Sequence, residues 1–137
     1  MADKKKNKNI KDKNIRITKK YLDYYYMAVD EIGAKELYEV ICNAGHEVSE
    51  RIELWDAADV LEIETDEKSS IDIEKIPWFN NEDDKKFLES NGIKSIFSIK
   101  TDEPNRQRMI DIFKLVISSL GGFVCSDTDN FMPYIVQ

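Results

Sequence analysis

Residues 21 to 33 read Tyr-Leu-Asp-Tyr-Tyr-Tyr-Met-Ala-Val-Asp-Glu-Ile-Gly, and the fold turns on whether this stretch is a strand or part of a long helix. Tyr24, Tyr25, Tyr26, Met27, Ala28 and Val29 form a β-prone cluster. Leu22, Tyr25, Tyr26, Val29, Ile32 and Leu37 also fit a 3.6-residue period, so a single helix from about residue 19 competes. Gly33 and the tyrosine run favour the strand, with Asp30-Glu31-Ile32-Gly33 as a turn into AKELYEVICNAG. There Leu37, Val40, Ile41 and Ala44 recur at helical spacing, and Gly45 ends the helix on either reading.

Beyond His46, EVSERIEL and DVLEIET each alternate apolar with polar residues, and Trp55-Asp56-Ala57-Ala58 between them is short enough for an antiparallel hairpin. One face of that hairpin packs on a core and the other displays Glu62, Glu64 and Asp66 in a row. Lys68-Ser69-Ser70 turns the chain, SIDIEKI offers a short alternating piece, and Pro77 breaks the ladder ahead of Trp78 and Phe79. Asn81 before Glu82, Asp83 and Asp84 predicts a helix start, with a capping side chain and acids facing the positive end of the dipole. Asn91-Gly92 stops that helix. IKSIFSIK is β-rich, with Ile93, Ile96 and Ile99 partly out of step, and predicts a buried strand. Asp102 or Glu103, with Pro104 just inside, starts another helix whose Met109, Ile112, Phe113, Val116, Ile117 and Leu120 form a broad apolar face. Gly121-Gly122 stops it, and FVCS and FMPYIV then bracket an Asp-rich turn, with Pro133 placing the last strand at an edge or on its open side. The expected fold is α+β: a mainly antiparallel sheet with helices packed on one face, built from two rough β-α-β-β units joined by a short helix.

At 137 residues and 42% hydrophobic content the chain can fill one core, expected over residues 19–137. The net charge of -7 hides a division. Residues 1 to 20 hold nine Lys or Arg against Asp3 and Asp12, a balance of +7, while eleven bases and twenty-five acids leave the remainder at -14. Residues 1–18 therefore read as a basic, largely disordered arm that solubilises the protein. The arm could touch nucleic acid, but the acidic remainder would repel phosphates, so no direct nucleic-acid partner is expected. With no apolar run of membrane-spanning length and no apolar segment after the basic start, the expectation is a soluble, cytoplasmic protein without membrane contact. Cys42 and Cys125 sit among apolar neighbours and read as free core thiols.

Nothing marks a catalytic site. His46 is the sole histidine and follows a helix-ending glycine, where the dipole alone explains it. No paired metal-ligand spacing occurs, and Asp127-Thr128-Asp129 fails as an EF-hand loop because Phe131 and Met132 occupy the next required positions. No enzyme activity, metal or cofactor is expected. What the residues do offer is an interaction surface. Glu62, Glu64, Asp66, Glu67, Asp72 and Glu74 crowd a hairpin and its exit, followed by Trp78 and Phe79, and Asp127 and Asp129 sit at a loop tip. Acids beside large aromatics suit a basic protein partner. The competing reading is a solvated strand face plus a core tryptophan.

YYYMAVDEI with its helix, SSIDIE, EDDKKFLESNGIKSIFSIK and LGGFVCSDTDNFMPYIV together resemble the small bacterial immunity proteins that accompany polymorphic toxins, including those of contact-dependent growth inhibition systems. The resemblance implies a cytoplasmic, non-catalytic protein that binds and neutralises the toxic C-terminal domain of a cognate effector by covering its active site or an adjacent exosite. Such domains are often basic nucleases, which an acidic protein would suit. No contact residue is implied. The alternative expectation is a small-ligand-sensing regulatory α+β domain, since paired β-α-β-β units commonly form pockets at their junction.

Overall fold

The computed structural model describes residues 21–44, 51–66 and 69–137. The expectations for the arm at 1–18, and for Gly45, His46, Glu67 and Lys68, lie outside the described residues. Tyr21–Ala28 is a strand, β1, which settles the competition at the tyrosine run. It is followed by α1 (Ala34–Asn43), β2 (Ile52–Trp55), a 3-10 turn, β3 (Val60–Asp66), β4 (Ser69–Ile76), α2 (Glu82–Ser90) and β5 (Ser95–Asp102). A second 3-10 turn leads into α3 (Arg106–Leu120), and β6 (Phe123–Ser126) and β7 (Tyr134–Val136) complete the chain.

Among the described residues the strands form one seven-stranded sheet in the order β2-β3-β4-β5-β1-β6-β7, with every neighbouring pair antiparallel. The fold is therefore α+β. Two β-α-β-β units are present, β1-α1-β2-β3 and β5-α3-β6-β7, but the segment between them is more than a helix. SIDIEKI, with Ser69 ahead of it, is a full strand of eight residues, β4, inserted between β3 and β5. Its Ile71 and Ile73 are buried while Asp72 and Glu74 are exposed, so the short alternating piece is an integral strand.

Tyr24, Tyr26 and Ala28 share one face of the sheet with Leu61, Ile63, Ile71, Ile73, Phe97 and Ile99, and α1 and α3 cover it. Tyr26 sits at its centre, its ring 5.3 Å from Phe113 and 5.9 Å from Phe97, with its hydroxyl donating to the Gly121 carbonyl at 2.7 Å. That contact needs the chain to turn tightly after α3. Gly122 makes it do so: φ is +86°, and a Cβ there would collide with the Met27 carbonyl oxygen.

The expected placement of all helices on one face is corrected by α2. Its Leu88 packs on the opposite face, over Met27, Ile93, Ile96 and Cys125, joined by Phe131 from the β6–β7 turn. The isoleucines of IKSIFSIK look out of step because β5 is covered on both faces at this end: Ile96 faces α2 while Phe97 and Ile99 face α1 and α3. Asn81 caps α2 as its sequence predicts, its side chain accepting from the Asp83 and Asp84 amides at 2.8 and 3.2 Å. FMPYIV is a strand only from Tyr134, because Phe131 turns inward with φ of 62°. β7 does lie at a sheet edge. Among the described residues no helix is long and apolar enough to cross a membrane.

Candidate functional site: an acidic sheet face and an adjoining cleft

Among the described residues no helix covers the other half of the α2-bearing face, and the register shows what occupies it. Side chains on this face are the neighbours of the buried ones, because successive residues of a strand point to opposite sides. At one end, Ile76, Ile96, Met27 and Phe123 stand side by side across the sheet beneath α2. Two steps along, Glu74, Ser98, Tyr25 and Cys125 form the next row, with Val60 beside Glu74. Two steps further, Glu53, Glu62, Asp72, Lys100 and Asp23 line up across five strands. β1 to β5 thus pass toward charged residues along a single face, and the α2 cluster lies at the opposite, apolar end.

The charged row is poorly balanced. Lys100 is its one cation and reaches Asp23 at 3.9 Å. Glu53, Glu62 and Asp72 meet as direct cross-strand neighbours, an arrangement that destabilises a sheet, with Glu64 two residues along β3 on the same face. The Glu62 carboxyl is pushed above its ordinary range, first by partial burial and then by Asp72, Glu53 and Glu64. Ser70 donates to Asp72 at 2.9 Å, which holds that carboxylate on the face. At the β2 edge Trp55 is 45% exposed, paired with Val60 and diagonal to Glu62.

A cleft of about 530 Å³ adjoins the apolar half of the same face, lined by Tyr25, Phe79, Asp83, Asp84, Asp127 and Asp129 among others. Its floor is aromatic: Tyr25 and Phe79 meet edge to face at 5.5 Å, and Phe79 stacks on Phe131 at 5.7 Å. The Tyr25 hydroxyl is pushed up to about 12 by burial and then by the Asp127 carboxylate. The turn itself is held locally, Thr128 donating to the Met132 carbonyl at 2.8 Å and the Met132 amide to the Asn130 side chain at 3.1 Å. Asp127 and Asp129 are exposed, as a loop-tip turn predicts. The Cys125 thiol is buried and pushed up to about 12, by burial first and then by Asp127, which disfavours its thiolate form. Among the described residues no three His, Cys, Asp or Glu stand together as a metal site.

The sequence-predicted residues fall into two places. Glu62, Glu64, Asp72 and Glu74 share the bare face. Asp66 pairs with Ser69 beyond a register shift in β3, and Glu67 lies outside the described residues. Asp127, Asp129 and Phe79 belong to the cleft, where Phe79 is half-buried floor and not a free anchor. Trp78 is 41% exposed but follows the α2 end of β4, six residues from Asp72 and so about 20 Å along an extended chain. Trp55 replaces it as the aromatic beside the acids. Glu53, Asp23, Trp55 and Tyr25 were not singled out from the sequence. Glu53 and Trp55 have the alternation parity that would have placed them, but their neighbours are set by strand order.

Comparisons with family models, with curated proteins and with solved structures return no match.

Proposed function

We propose that this protein is a binding protein of the immunity type, taking a basic toxin domain onto its acidic sheet face and neutralising it without chemistry of its own. The observation that carries this reading is the row Glu53-Glu62-Asp72, where like charges are kept side by side on a bare surface despite their cost to stability. A cationic partner surface offsets that repulsion on binding, which favours the complex. Trp55 at the rim supplies the large, part-exposed aromatic that desolvated protein contacts favour. The resemblance to immunity proteins suggests a nuclease-type partner acting in the same cytoplasm.

The test is protection and binding together. If a toxin domain is encoded beside this chain, cells expressing it should survive when this protein is present and die without it. Association of the purified pair should slow steeply as salt rises, and Glu53→Lys with Glu62→Lys and Asp72→Lys should slow it by about tenfold or more at low ionic strength. Absence of both protection and binding sinks the proposal. Trp55→Ala should weaken the complex more than Trp78→Ala.

The cleft supports a second reading, a regulatory domain sensing a small cationic ligand, since four carboxylates rim an aromatic floor. A thermal-shift screen with amines and amino acids separates the two. Stabilisation that Asp127→Asn and Asp129→Asn abolish favours the sensor; none favours the immunity reading.

A further inference from the structure

Tyr21 opens β1 opposite Asp102, two residues before Asp23, so the preceding twenty residues join the domain at the acidic end of the bare face and not at the end beneath α2. Those twenty residues carry nine Lys or Arg between Lys4 and Lys20 against Asp3 and Asp12. The row they adjoin has Glu53, Glu62, Asp72 and Asp23 against Lys100 alone.

Length permits contact along the whole row. From β1 to β2 the sheet crosses four strand spacings, roughly 20 Å at about 4.8 Å each. An extended chain advances about 3.3 Å per residue, so about six residues cover the distance. A segment of twenty therefore reaches Glu53 and keeps residues in reserve for turning. We propose that the basic segment 1–20 is the intramolecular occupant of the acidic sheet face.

Tethering makes this contact insensitive to protein concentration, because a short linker holds the segment near its target at an effective concentration in the millimolar range. Its strength is spread over many lysine contacts with carboxylates at a surface, so it weakens as salt screens them. Physiologically the segment is a competitor. It hides the acidic face from weakly basic proteins and yields to a partner whose cationic surface is rigid and complementary. This competitive role rests on the face being the partner site, whereas the docking itself does not.

The test keeps the full chain and neutralises the segment through Lys4→Gln, Lys5→Gln, Lys6→Gln, Lys8→Gln, Lys11→Gln and Lys13→Gln. Amide resonances of Glu53, Glu62, Asp72 and Asp23 should shift between wild type and variant at low salt. The two spectra should converge on this face at about 0.5 M salt, where charges more than a few Å apart are screened. An oligolysine peptide should bind the variant about tenfold tighter than wild type if the segment occupies the face in about nine molecules of ten. Unchanged face resonances overturn the docking, whatever the toxin domain does. Shifted resonances with a toxin domain that binds wild type and variant equally uphold the docking and remove the competitive role. A dimer that sediments in wild type and is lost in the variant overturns the intramolecular form, since the segment would then lie on a second copy.

Discussion

Glu62 concentrates the electrostatic problem of this protein in one side chain. Its carboxyl titrates above the ordinary range, so the folded chain holds that proton more tightly than the unfolded chain does. The penalty for the charged form is absent below the unfolded value and grows as pH rises through the folded one. Glu62→Gln should accordingly stabilise the fold by about 0.5 kcal/mol at neutral pH, the scale of a like-charge cross-strand pair. The gain should disappear below about pH 4, where the wild-type side chain is protonated as well. Thermal melts of both proteins across that range check the sign; a gain that persists in acid would place the effect in packing. A second residue-scale dependence joins distant segments. Asp59, in a left-handed conformation after β2, accepts from the Ala34 amide at 2.9 Å and so caps α1 from another part of the chain. A Cβ on Gly33 would stand 2.6 Å from that same carboxylate oxygen. Gly33→Ala and Asp59→Ala should each cost about 1 kcal/mol, the worth of a helix cap, and the double variant little more than either. Urea unfolding of the four proteins gives the coupling directly, and additive losses would refute a shared origin.

The helix α2 shows how an element's boundaries and its placement have different origins. Asn81 as cap and Gly92 (φ of 65°) as stop follow from local chemistry, and both are legible in the sequence. Its docking on the face opposite α1 and α3 is not legible locally, because it depends on Met27, Ile96 and Cys125 presenting apolar surface there together. The clue was the broken alternation of IKSIFSIK, which means burial on both sides. SIDIEKI carried the clearer alternation, yet its position between β3 and β5 comes from long-range pairing. Phe131→Ala removes the residue that ties the β6–β7 turn to Phe87, with ring centroids 4.6 Å apart, and to the cleft floor. A loss of about 3 kcal/mol or more is expected from a buried phenylalanine, read by chemical unfolding. The charged end of the sheet should keep its resonances, since it lies outside that apolar cluster.

At the scale of the molecule, and among the described residues, α1 and α3 cover one side of the sheet and α2 covers the apolar end of the other. That asymmetry makes a surface from acids scattered across β1, β2, β3 and β4. Thiol chemistry should report the covered parts. Cys42 is half-buried on α1 and Cys125 fully buried beneath α2, so a small thiol reagent should modify Cys42 in the native protein and Cys125 only on unfolding. Rapid native modification of both would mean that the α2 layer opens readily.

The sequence by itself determined the local events. Asn81, Gly92 and the Gly121-Gly122 pair set helix ends, β3 and β4 declared by alternation which of their residues face water, and the tyrosine run favoured a strand that the structure then settled against the competing helix. It also determined the division between a basic start and an acidic remainder. These depend on interactions within a few residues, so a local pattern encodes them. Only the tertiary structure decided that Glu53, Glu62, Asp72 and Asp23 form one row, that Trp55 and not Trp78 stands beside it, and that Asp83 and Asp84 share a cleft with Asp127 and Asp129. Strand order and register set these neighbourhoods. Both are fixed by which apolar faces bury one another across the whole chain, and no local period records that choice.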